Sequence, residues 1–160
     1  FFSMAFVVNT AADSAIQNLL SDSEKNEFAL VLKCVLKSNE IDVDYDMEET
    51  DIEEIASELA DTLPRIILFR TNLAVDELTK VSSVLLINFN PMNTPLNLKG
   101  AYNNTFKLLK QRLEHKVKCI ELNDLSDFRP EIIDARARGL TGKMAPPVVP
   151  VKQTYGREVV

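Results

Sequence analysis

No glycine precedes Gly100; the others are Gly139, Gly142 and Gly156. Glycine is the residue that takes up left-handed backbone without penalty, so its absence from most of the chain sets two limits. Two-residue hairpins want Asn-Gly or Asp-Gly, and neither pair occurs. Few antiparallel ribbons are therefore expected, and an all-β fold is set aside. Loops that cradle phosphate also need glycine for close backbone approach, so neither a Walker A loop nor a G-x-G-x-x-G turn can be drawn. What remains is an α+β domain, helix-dominated and mixed, with a small sheet; the alternative is an all-α bundle.

Hydrophobic spacing places the elements. Residues 10–20 read as a short helix capped by Asn9 or Thr10, with Ile16, Leu19 and Leu20 on one face. Ser21 and Glu24 form a capping box, and Phe28, Val31, Leu32, Val35 and Leu36 then recur at helical spacing, which predicts a helix over 24–37. A second box, Thr50 to Glu53, opens a helix over 51–63 that Pro64 stops. Strict alternation over 41–46 predicts a strand with one apolar and one acidic face. The apolar runs 65–70 and 84–89 fit a buried strand or a helix, and a helix is expected over 72–80 between them. Residues 98–115 read as a helix with Phe106, Leu109 and Leu113 inward, and 117–122 as a strand. Strand, loop, helix, strand is the order of a parallel crossover. Residues 130–138 form a last short helix with Gly139 as its C-cap. The sheet is expected from the segments near Val43, Ile67, Leu86 and Ile120.

These elements make one globular domain over 4–139. Met4 reads as the natural start, with Phe1 to Ser3 left from expression or processing. Residues 140–160 read as an extended tail, because Pro146, Pro147 and Pro150 favour polyproline backbone. No stretch approaches the roughly 18 apolar residues of a membrane span, and Cys34 and Cys119 are the only cysteines. A soluble protein with reduced thiols in the cytoplasm is expected, with no membrane partner.

Charge is unevenly spread. From Glu40 to Asp61 there are eleven acids and no Lys or Arg; elsewhere 18 basic residues face 13 acidic ones. Asp42, Asp44, Asp46, Glu48, Glu49 and Glu53 are the candidate acidic partner face. Asp42, Asp44, Asp46 and Glu53 imitate the spacing of a calcium loop, but Met47 stands where the loop turns on glycine and Glu49 where it is apolar. No metal is expected there. The same acids could mimic DNA phosphates and inhibit a DNA-binding protein. Lys99, Lys107, Lys110, Arg112, Lys116 and Lys118 cluster around one helix; they read as a solvated helix face in preference to a nucleic-acid site. His115 is the sole histidine, and no nucleophile, base and orienting partner can be assembled.

One loop fits a small ligand. If the crossover is real, Asn88, Asn90, Asn93, Thr94 and Lys99 lie at the carboxyl end of a parallel strand, where open α/β sheets bind ligands. An enzyme handling a small ligand or nucleotide is the alternative this loop supports. The leading expectation is a non-enzymatic binding or assembly protein, without cofactor, whose partner is another protein or a second copy. Its tail would dock through Pro146, Pro147, Val148, Val149, Pro150 and Tyr155; viral and phage accessory proteins offer an analogy.

Overall fold

A computed structural model describes residues 6–21, 27–74 and 78–138. The chain runs β1 (Val7–Val8), α1 (Thr10–Ser21), β2 (Phe28–Val35), β3 (Glu40–Met47), α2 (Ile52–Ser57), β4 (Arg65–Ala74), β5 (Lys80–Phe89), α3 (Leu96–Leu113), β6 (Lys118–Leu122) and α4 (Pro130–Ala137). The six strands form one mixed sheet in the order β1-β3-β2-β4-β5-β6. Pairs β1–β3 and β5–β6 are parallel, and β2–β3, β2–β4 and β4–β5 are antiparallel. This is the expected α+β class, with the predicted crossover β5-α3-β6 in place.

Two cores lie on opposite faces of the sheet. On one, α1 (Ala12, Ile16, Leu19) and α3 (Tyr102, Phe106, Leu109, Leu113) cover Leu30, Leu32, Ile66, Leu68 and Leu86. On the other, α2 (Ile52, Ile55), α4 (Ile133) and Phe128 cover Val31, Ile67, Phe69, Leu85, Ile87 and Phe89. Within the buried stretches of the central strands, alternate residues therefore find cover on opposite faces.

That double cover corrects the predicted helix over 24–37, where β2 runs as a strand. Phe28 to Leu32 are all buried, and a continuous apolar run has the same pattern in a buried helix and in a strand covered on both faces. The Ser21–Glu24 box cannot be placed, since Glu24 lies outside the described residues. The expected helix over 72–80 is also corrected. β4 runs on to Ala74 and pairs with β5 from Lys80, and Leu78, within the span of the expected helix, is 97% exposed.

The expected scarcity of antiparallel pairing is overturned as well, because other residues take the left-handed positions. Asn39 (φ 55°) sits in the turn between β2 and β3, with Glu27 (φ 56°) and Glu49 (φ 52°) flanking those strands. Asn tolerates this region; each Glu carries a steric cost of about 1 kcal/mol. The helix over 51–63 is shorter than expected: α2 ends at Ser57, and Leu63 is exposed. Its cap is Asp51, whose Oδ1 accepts from Glu54 N at 2.8 Å, one residue past the Thr50 of the predicted box. For α1 the expectation holds: Asn9 Oδ1 accepts from Ala12 N at 2.8 Å.

β3 carries a bulge. Val31 pairs with Tyr45 and Leu32 with Val43, so Asp44 is the extra residue. Ile41 and Val43 consequently pack on the α1–α3 side, while Tyr45 and Met47 pack on the α2–α4 side. The single acidic face predicted from strict alternation does not form, because one inserted residue reverses every side chain after it. β1 covers only Glu40 and Ile41 of this strand.

Candidate functional site

The loop singled out for ligand binding begins where β5 ends. Asn88 and Asn90 are buried, and both Nδ2 groups donate to Asn103 Oδ1 of α3 at 3.0 Å. Asn90 Nδ2 also donates to the Lys99 carbonyl at 3.3 Å, Asn90 N donates to the Leu122 carbonyl at 3.0 Å, and Asn123 Nδ2 donates to the Asn90 carbonyl at 3.2 Å. Asn88 and Asn90 are thus brought together and joined to α3, β6 and the loop after it. Thr94 is buried in the turn that leads into α3, where its N–H donates to the Pro91 carbonyl at 3.1 Å. Asn93 is exposed, and Lys99 is half-buried on the first turns of α3. The five residues do not converge on one cavity.

An open cleft of about 420 Å³ lies at the ends of β5 and β6, lined by Asp61, Phe89, Pro91, Met92, Asn93, Asn123, Asp124 and Leu125. The Asp124 carboxyl is held below its usual range, first by the Ser126 N–H and then by the Ser126 hydroxyl, so it stays ionised and serves as the cap of a short 3-10 turn. Beside the cleft, Met92 is 77% exposed and Leu96 85%. Leu96 starts the longest helix, on the side away from the sheet. From there Leu96, Gly100, Asn104, Lys107 and Gln111 follow at helical spacing, all exposed. An exposed apolar pair, Met92 in the turn before α3 and Leu96 at its first residue, with Lys107 three turns further along the same face, suits contact with another macromolecule.

Sequence reasoning missed Met92, Leu96 and Asn103. A signal existed for Leu96: it falls off the stripe of Phe106, Leu109 and Leu113, so an apolar residue there has no core to enter. Asn103 carried none, since its importance comes from Asn88 and Asn90 on the strand that α3 packs against.

The acidic residues do not gather. Asp42, Asp44 and Asp46 lie on β3, split between its two sides by the bulge; Glu48 and Glu49 are exposed in the bend after it, and Glu53 lies in the first turn of α2. Asp44 is engaged, with Oδ2 2.9 Å from Arg65 Nε and Oδ1 3.9 Å from Lys33 Nζ. Among the described residues no group of three or more His, Cys, Asp and Glu could hold a metal ion, and no helix is long and apolar enough to cross a membrane. Of the basic cluster, Lys107, Lys110 and Arg112 are exposed, and Arg112 Nη2 reaches Asp13 Oδ1 of α1 at 2.9 Å. The tail residues Pro146, Pro147, Val148, Val149, Pro150 and Tyr155 lie outside the described residues, as do Gly139 and residues 1–5.

A six-strand mixed sheet flanked by helices on both faces is the ADF-H fold. Residues 5–138 match the family of cofilin/tropomyosin-type actin-binding proteins, and the chain belongs to that family. Solved structures agree on the fold. Glia maturation factor from Caenorhabditis elegans is 18% identical, with a TM-score of 0.70 over 85% of this chain and 99% of that one. Cofilin from Streptomyces griseoflavus is 16% identical, with a TM-score of 0.65 over 83% and 97%. Human coactosin-like protein is 16% identical, with a TM-score of 0.69 over 97% and 100%. No curated protein matches by sequence. The analogy with viral and phage accessory proteins finds no support in these likenesses.

Proposed function

We propose that this chain binds actin by docking, without catalysing a reaction, and that the turn before α3 and the outward face of that helix make the contact. The family match over residues 5–138 carries the choice of partner. The expectation of a binding protein with a protein partner is thereby narrowed to a cytoskeletal one, in keeping with the expected cytoplasmic setting.

The choice of surface rests on Met92 and Leu96. Leu96 is borne by a helix, so docking costs its backbone little conformational entropy, and Met92 lies in the short turn that leads into that helix. Burying them removes apolar area from water, worth about 1.5–3 kcal/mol for each fully buried side chain. Lys107 lies on the same stripe and adds a charge at its rim, where it affects association rate more than affinity.

Co-sedimentation with actin filaments and titration of labelled actin monomers test the reading together. Binding to at least one form is expected, weakened tenfold or more in a Met92→Ser, Leu96→Ser variant whose melting temperature is unchanged. A wild-type chain that binds neither form would sink the actin reading. Equal binding by the variant would move the surface elsewhere.

A further inference from the structure

A pocket of about 170 Å³ opens between α2 and α4, on the sheet face away from α3. Ile52, Phe69, Leu73 and Ile133 form its apolar lining. Its charge is one-sided, with Glu27, Asp51 and Asp134 set against Lys80 alone. Lys80 and Arg138 already act on Asp134. The other two acids belong to neighbouring backbone, since the Thr50 N–H donates to the Glu27 carbonyl at 2.8 Å. Among the described residues neither is in an ion pair. Carboxylates beside apolar surface suit a cation on an aliphatic stem, whose charge stays at the rim while its methylenes are covered.

The chain itself carries such a group within reach. Twenty-two residues follow Arg138, and they hold Lys143, Lys152 and Arg157 against Glu158. Lys143 is the nearest base, five residues on, and five extended residues span about 17 Å. Asp134, which lines the pocket from α4, lies four residues before Arg138, about 6 Å along the helix axis. Gly139 and Gly142 permit the reversal of direction that this path needs. A short tether also gives a group an effective concentration on the order of millimolar, which a separate partner has to match.

We propose that the segment after Arg138 folds back over α4 and seats Lys143 in this pocket, its ammonium against Glu27 and Asp51. The lysine stem and Met144 then cover the apolar lining. Net charge agrees, because the segment is basic and the pocket acidic. The rival occupants are the same lysine of a second copy and the basic side chain of another protein. The proposal holds whether or not the chain binds actin.

Carbodiimide cross-linking of the full-length chain tests it, since the reagent joins a lysine to a carboxylate only where the two are in contact. An equal mixture of unlabelled and nitrogen-15-labelled chain is treated, digested and read by mass spectrometry. Peptides joining Lys143 to Glu27 or Asp51 are expected, each within a single isotope. Links of mixed isotope in the same yield would overturn the proposal in favour of a second copy. No link from Lys143 to either acid would overturn it too, and leave the pocket to a separate partner. In the amide spectrum of the full-length chain, Lys143→Glu is expected to move Thr50, Thr71 and Asn72 and to leave α3 unchanged. Signals that stay in place at those three residues would count equally against the seat.

Discussion

Arg70 Nη2 donates to the Leu19 carbonyl at 2.6 Å, where α1 ends against the sheet. The same guanidinium reaches Leu19 O again through Nε at 3.1 Å, Leu20 O at 2.9 Å and Ser82 Oγ at 3.3 Å. The last carbonyls of a helix have no partner within it, and the negative end of the helix dipole favours a cation. Arg70, only 7% exposed, supplies both from the neighbouring strand. Arg70→Met is therefore expected to destabilise the fold by about 2–4 kcal/mol, read as a lower urea midpoint with unchanged slope. Arg70→Lys should recover only part, since one ammonium cannot copy the fork.

A second junction rests on one hydroxyl. Tyr102 of α3 accepts at its oxygen from Cys34 N at 2.9 Å and from Arg65 Nη1 at 3.3 Å, where β2 runs past the start of β4. Tyr102→Phe leaves a strand N–H without its partner and should cost about 1–3 kcal/mol. In hydrogen exchange the Cys34 amide should lose protection more than its neighbours do; equal loss along β2 would deny the specific role.

Gly100 should be replaceable at a gain. A Cβ built there meets nothing within 4 Å, and glycine inside a helix costs about 0.5–1 kcal/mol relative to alanine. Gly100→Ala is expected to raise stability by that amount in thermal or urea unfolding. A lower midpoint would show strain at this turn of α3.

Asp134 links stability to pH. Burial pushes its carboxyl up, offset by Arg138 and then Lys80, with Glu131 adding to the rise. Folding thus favours the protonated form, and stability contributed by this group is lost as pH rises from the unfolded to the folded value. Asp134→Asn should be more stable than the wild-type chain at neutral pH, with the difference vanishing below the carboxylate range. Unfolding curves at pH 3 and pH 7 would check it, and a larger gain at the lower pH would contradict the assignment.

Amphipathic elements were legible in the chain. For α1 and α3 a buried stripe and a solvated face leave a helical period, and β6 follows α3 as the crossover predicts. β2 was not, because both its faces are covered and its apolar residues run together. The hairpin of β4 and β5 was hidden for the converse reason: Leu78 is apolar yet points to solvent, so it mimicked a helix's inner face. Within the candidate site, Asn88, Asn90 and Thr94 were marked correctly as lying at the end of a parallel strand. Asn103, which binds the first two, could not be found without the fold. The bulge at Asp44 was equally invisible, since a register shift depends on the partner strand.

That bulge also bears on how copies of the chain tolerate one another at high concentration. Beyond Ile41, β3 has no strand on its outer side among the described residues, and such an edge is a template for open-ended stacking. Here the edge is kinked at Asp44 and bears carboxylates toward both sides of the sheet, and Asp42 Oδ1 takes up the Val43 N–H at 2.8 Å. The Asn9 side chain and that same N–H hold the Asp42 carboxyl below its usual range, so its charge persists into mild acid. An arriving strand would meet like charge and a donor already engaged, which makes the acid-rich border of this sheet a safeguard against fibrous aggregation.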